Sequence, residues 1–71
     1  MKVLIVKTLF GKFDYYLTKF NSWTGIKDNA QIFTGGNLDE KVRLLNNRCR
    51  LDEVVTTQNV SHKFFIKKSL S

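Results

Sequence analysis

Few side chains in this chain are able to do chemistry, and their spacing ties no two of them together. His62 is the single histidine and Cys49 the single cysteine. Zinc and related metals need several His, Cys or carboxylate ligands at close spacing, and no such grouping occurs. A nucleophilic thiol needs a partner base, and His62 is the one imidazole on offer. Cys49 falls on the apolar stripe of a helical segment, which reads as a buried, inert thiol. His62 reads as a surface residue in a turn. Asp14, Asp28, Asp39, Glu40, Asp52 and Glu53 are the carboxylates, and no two form a recognisable acid–base pair. Gly35-Gly36 stands before a helix, where bare backbone N–H groups bind phosphate in many proteins. Here Asp39 and Glu40 occupy the first turn and repel an anion, so the glycines read as turn punctuation. The chain is therefore expected to hold no catalytic site, no metal and no cofactor, and not to be an enzyme.

The chemistry left is binding. The chain has 12 Lys and Arg against 6 Asp and Glu, a net charge of +6. The excess lies at the two ends. Residues 1–13 hold Lys2, Lys7 and Lys12 without an acid, and residues 54–71 hold Lys63, Lys67 and Lys68 without an acid. Gathered together, these six lysines make one basic contact surface for nucleic acid or an acidic protein. Left apart, they are surplus charge that keeps a small protein soluble. A second candidate is the helix face bearing Arg43, Asn47 and Arg50, at i, i+4 and i+7 and turned away from the apolar stripe. Those side chains clasp carboxylates or read base edges, although Asp39 also stands four residues before Arg43 and suits a simple surface pair. The aromatics around the second strand, Tyr16 and Trp23 above all, are a third candidate, since rings between lysines stack unpaired bases. Core packing is the alternative for them.

The elements that position these groups begin with the one strongly periodic segment. Residues 38–50 place Leu38, Val42, Leu45 and Cys49 at helical spacing, with acids in the first turn and bases in the last. Asn37 and Glu40 fit a capping box. Residues 2–10 read as a strand that is apolar on both alternating sets, hence central or covered on both sides. Gly11-Lys12 fits a two-residue Gly-X turn, and residues 13–20 form the return strand. Residues 23–29 read as a loop or a ragged edge, 30–34 as a short third strand and 53–59 as a strand of Val and Thr. Residues 63–70 are a fifth strand or an ordered tail. The expectation is one α+β domain over residues 1–71: an antiparallel sheet of four or five strands with one helix on one face, in the order β-β-β-α-β with a possible last β.

Seventy-one residues suffice for one domain with a modest core. No run approaches the roughly 20 apolar residues of a membrane span. The first residues lack a cleavage-site pattern, and one cysteine allows no internal disulfide, so the expected location is cytoplasmic with no membrane partner. Asn59-Val60-Ser61 matches a glycosylation sequon by chance on this reading. An unpaired outer strand makes a homodimer by edge pairing a further expectation.

At Tyr15-Tyr16, Trp23, Ala30-Gln31-Ile32-Phe33 and the helix opening Leu38-Asp39-Glu40, the chain resembles small phage and mobile-element proteins laid out as hairpin, third strand, helix and strand. Many of these are host-takeover or anti-defence factors. The stretch Lys27-Asp28-Asn29-Ala30-Gln31 resembles phage antitoxins that block a host RNase toxin. The likeness covers roughly residues 1–60 as a layout and carries over no functional residue. It implies a non-enzymatic protein that occupies a surface of a host protein or nucleoprotein. The alternative from composition is a basic module for single-stranded RNA or DNA.

Overall fold

The computed structural model describes residues 2–70. Within them the chain is an α+β domain built on an antiparallel sheet. Its strands are β1 (Val3–Leu9), β2 (Phe13–Leu17), β3 (Trp23–Thr24) and β4 (Glu53–Asn59), in the spatial order β3-β2-β1-β4. Helix α1 (Leu38–Asn47) precedes β4, helix α2 (His62–Leu70) follows it, and a single 3₁₀ turn spans Lys27–Asn29.

β1 is interior to the sheet, as its apolar character on both alternations requires. Val3, Leu4, Ile5 and Val6 are all buried. Its neighbours are in register through Val6 opposite Tyr16 in β2 and Val6 opposite Thr56 in β4. Successive side chains of a strand point to opposite faces, so β1 serves two half-cores. On one face Ile5, Leu17 and Val55 pack under Trp23, Phe33 and the α1 stripe Leu38, Val42, Leu45 and Cys49. On the other, Leu4, Val6 and Ala30 pack against Tyr16, Ile32, Val60 and Phe64. Each fully buried Leu or Ile contributes about 1.5–3 kcal/mol. A sheet this small is held by these two thin layers rather than by one deep core.

The α1 stripe packs as its spacing dictates, but four local expectations are corrected. First, residues 63–70 are helix, not strand or tail. Ser61 caps α2: its Oγ accepts from the Phe64 N–H at 3.1 Å and its carbonyl from the Phe65 N–H at 3.0 Å. A hydroxyl at the N-cap satisfies a backbone donor that would otherwise lack a partner, and that commits the segment to helix. The sheet therefore carries a helix on each face instead of one. Second, the third strand is Trp23–Thr24, paired with β2 through Leu17 opposite Trp23. Residues 30–34 supply a bridge at Phe33, whose N–H and carbonyl bond Val3 at 2.8 and 3.0 Å. Third, the hairpin turn lies one residue earlier than Gly11-Lys12. Phe10 and Gly11 are its central residues, at φ 56° and 67°, and the Lys12 N–H closes it onto the Leu9 carbonyl at 3.0 Å. Positive φ at both centres matches the twist of the flanking strands. Fourth, α1 ends at Asn47, and its N-cap Asn37 makes no side-chain hydrogen bond, so the capping box does not form.

Of the sheet's outer edges, one is short and the other is covered in part. β3 has two residues. On β4, the Asn46 amide of α1 takes the place of a neighbouring strand: its Nδ2 donates to the Val55 carbonyl at 2.9 Å, and its Oδ1 accepts from the Val55 N–H at 2.8 Å. By alternation from Val55, Glu53, Thr57 and Asn59 also turn their backbone groups outward, and the Glu53 N–H bonds the Arg50 carbonyl at 3.1 Å.

Candidate functional site

The lysines expected to gather are divided by the sheet. Ile5 and Lys7 share a face, so Lys7 lies on the α1 side. There its Nζ stands 3.4 Å from Glu53 Oε2 and 4.8 Å from the centre of the Trp23 ring. Lys12 is exposed at the β1–β2 turn. Lys2 alone of the first three meets the last three. Its Nζ sits 3.8 Å over the Phe65 ring of α2, a cation–π contact. Lys63 is exposed on α2. Lys67 pairs with Asp28 Oδ2 at 3.0 Å, and Lys68 donates to the Asp28 carbonyl at 2.9 Å.

Two lysines that sequence position did not suggest complete the group. Lys27 lies 5.5 Å over the Phe64 ring. Lys19 lines an open cleft of about 810 Å³ together with Phe20, Asp28, Gln31, Lys67 and Lys68. The turn carrying Lys19 and Phe20 is fixed by Thr18. Its N–H donates to the Ser22 carbonyl at 2.8 Å, and its hydroxyl accepts from the Phe20 and Ser22 N–H groups at 3.3 Å. Asn21 takes φ 62° in that turn, which Asn tolerates better than most residues. Phe20 is left 79% exposed at the mouth of the cleft.

Charge thus divides by end of the molecule. Around α2 and the cleft stand Lys2, Lys19, Lys27, Lys63, Lys67 and Lys68 with one acid, Asp28: six bases against one, or +5. The rest of the chain holds Lys7, Lys12, Lys41, Arg43, Arg48 and Arg50 with five acids, or +1. The fold concentrates the surplus more sharply than the linear order does, and it uses different lysines.

The other candidates fall elsewhere. Tyr16 is half-buried against Leu4 and Val6, and Trp23 is half-buried against the α1-side core. The exposed rings are Phe10, Phe13 and Phe20. Arg43 and Asn47 are exposed on the outer side of α1. Arg50 lies past the end of α1. Its N–H donates to Glu53 Oε1 at 3.0 Å, and its carbonyl accepts from the Glu53 N–H at 3.1 Å, so it does not continue the helical row. Cys49 donates to the Leu45 carbonyl at 3.3 Å. Burial raises its thiol pKa and Glu53 adds to this, against Lys7; such a thiol is a poor nucleophile. Among the described residues, no three His, Cys, Asp or Glu side chains gather as a metal site. No helix there is long and apolar enough to cross a membrane.

The fold and this surface define a small α+β domain with a lysine-rich end. No protein-family model, curated protein or solved structure matches the chain.

Proposed function

We propose that this is a small non-enzymatic binding protein that occupies an acidic surface of a protein or nucleoprotein, with the α2 end as its contact surface. The observation that carries the reading is the +5 grouping of lysines from four separate segments around one acid. Like charges brought together repel, and an anionic partner relieves that repulsion. An origin in a phage or mobile element, action on a host partner and a cytoplasmic location belong to the same proposal. They rest on the resemblance of the sequence to such proteins in its layout of hairpin, third strand, helix and strand.

A second reading has its own support. Phe20 stands exposed beside Lys19 at an open cleft, and a ring between cations suits an unpaired base of single-stranded RNA or DNA.

Two variants with the same net charge test the surface. Lys19→Glu with Lys63→Glu, and Lys12→Glu with Arg43→Glu, each take the chain from +6 to +2, since each reversal removes two charges. Capture from a bacterial lysate, read by mass spectrometry, is expected to keep its partner with the second pair and lose it with the first. Equal capture by both would remove the α2 end from the interface. Labelled single-stranded RNA and DNA, titrated at two salt concentrations, separate the two readings. Binding with a steep salt slope favours nucleic acid, and no binding at low salt favours a protein surface.

A further inference from the structure

Strand register sorts the side chains on the α1 face of the sheet. Ile5, Lys7 and Leu9 alternate along β1 and share that face. Phe13 stands opposite Leu9 and Tyr15 opposite Lys7, so both rings lie on it too. Trp23 joins them from β3, opposite Leu17. Helix α1 lies nearest β4 and leaves the β2 side of this face open. β3 pairs with β2 only at Tyr16 and Leu17, so no strand flanks Phe13 to Tyr15 on the outside.

Phe13 and Tyr15 are the informative pair. Tyr15 packs against neither half-core, and Phe13 is 57% exposed. Tyr16, the next residue, turns to the other face and packs there. Lys7 covers Trp23, with Nζ 4.8 Å from the ring centre. Trp23 is therefore a wall, and Phe13 and Tyr15 are the open platform. Arg48 shares a small pocket of about 150 Å³ with Lys7, Trp23 and Glu53. Lys7, Lys12, Arg48 and Arg50 stand around this region against Asp52 and Glu53, or +2. Asp14 is turned to the opposite face, where its Oδ1 accepts from the Thr8 hydroxyl at 2.9 Å.

We infer that Phe13 and Tyr15 form a stacking platform for two unpaired bases of a single-stranded nucleic acid, on a surface separate from the α2 end. Residues two apart on a strand are about 6.6 Å apart. That is twice the roughly 3.4 Å between stacked bases. Paired, stacked bases cannot lie on both rings, whereas the splayed bases of an unpaired strand can. The local surplus of +2 suits the phosphates between them. An acidic protein segment would meet the same cations and leave the two rings without a use. The α2 cleft, by contrast, offers one exposed ring, Phe20.

Fluorescence anisotropy of labelled oligouridine and oligodeoxyuridine, titrated with the full chain at low and at physiological salt, tests this. Pyrimidine runs stack weakly on themselves, and these two strands differ only in the 2′-OH. Both are expected to bind, and a duplex at least about tenfold more weakly. Two neutralised phosphates give a slope of log affinity against log salt of about −1.4, against about −3.5 if the five surplus charges of the α2 end held the strand. Phe13→Leu with Tyr15→Leu keeps the charge and lies outside both half-cores, so the urea midpoint is expected to hold while binding weakens at least about tenfold. Tyr15→Phe keeps the ring and is expected to stay within about threefold, as is Phe20→Leu. Binding that survives the loss of both rings, or that takes a duplex equally well, overturns the inference. If Phe20→Leu alone abolishes binding, the strand lies in the α2 cleft instead. No binding at low salt up to about 1 mM also overturns it, and leaves the proposal of a protein partner at the α2 end standing.

Discussion

Replacing Asn46 with Ala tests how the sheet edge is closed. The Asn46 amide makes two hydrogen bonds to the Val55 backbone, at 2.8 and 2.9 Å, and Val55 is 2% exposed. Each intramolecular hydrogen bond is worth about 1 ± 0.5 kcal/mol net, and a stranded part-buried donor or acceptor costs up to about 3 kcal/mol. Two stranded groups give about 2–3 kcal/mol. The better helix propensity of Ala returns roughly 0.5 kcal/mol. The net loss of about 2 kcal/mol is a large share of the roughly 4–10 kcal/mol expected for a chain of this length. With a urea slope near 1 kcal/mol per molar, the midpoint falls by roughly 2 M. Equilibrium urea unfolding followed by Trp23 fluorescence reads the midpoint, and amide exchange of Val55 reads the bond directly. Asn46→Asp keeps the acceptor but sets a carboxylate against the Val55 carbonyl, and is expected to cost no less. A loss under about 0.5 kcal/mol for Ala, with Val55 still protected from exchange, would refute the bracing role.

Three further outcomes follow from the same description. Leu45→Ala removes a half-buried member of the α1 stripe, and a loss near 2 kcal/mol, the low end for such truncations, is expected in the same urea assay. Glu53 is held below its ordinary value of 4.5, first by accepting the Arg50 N–H and then by Lys7, with desolvation opposing. A carboxylate lowered on folding adds stability above its unfolded pKa and loses it as pH falls through the folded one. Thermal melts between about pH 6 and pH 3 should therefore slope less steeply in Glu53→Gln than in the parent chain. Cys49, raised by burial, is expected to alkylate more slowly with iodoacetamide in the folded chain than in urea; equal rates would mean that the α1 stripe is not packed.

The α1 stripe was legible in the sequence by its 3.6-residue period, and the first strand, its return strand and β4 by runs of β-branched and apolar residues between turn residues. Trp23–Thr24 was not, because two residues carry no period. The pairing comes from the Thr18–Ser22 turn, which folds the chain back beside Leu17. Residues 63–70 read as strand or tail, and the helix there was missed. Phe64 and Ile66 alternate like a strand, whereas Val60 and Phe64 stand four apart like a helix. Ser61, directly before the helix that begins at His62, was the signal that decides it, a hydroxyl cap at a helix start. The basic surface was legible in amount and not in membership. Sequence order put Lys7 and Lys12 with the α2 lysines, but strand alternation sends Lys7 to the other face and the hairpin carries Lys12 to the other end. Lys19 and Lys27 joined through turns whose geometry no periodicity encodes.

Helix α2 carries one consequence for how that surface behaves. None of its residues is fully buried. It is moored by Phe64 against the sheet and by contacts at exposed positions: Lys2 on Phe65, Lys27 on Phe64, Lys68 on the Asp28 carbonyl and the Lys67–Asp28 pair, the last contributing at most about 1 kcal/mol. An element with no fully buried residue opens and recloses more often than the buried strand β1, without unfolding the sheet beneath it. The lysine-rich end is thus anchored less firmly than the sheet. A ligand that grips α2 closed adds its own contacts to this weak mooring, so part of its binding free energy is spent on holding the helix down. Affinity and helix order then rise together, and a change that merely fastens α2 tightens binding without touching the ligand.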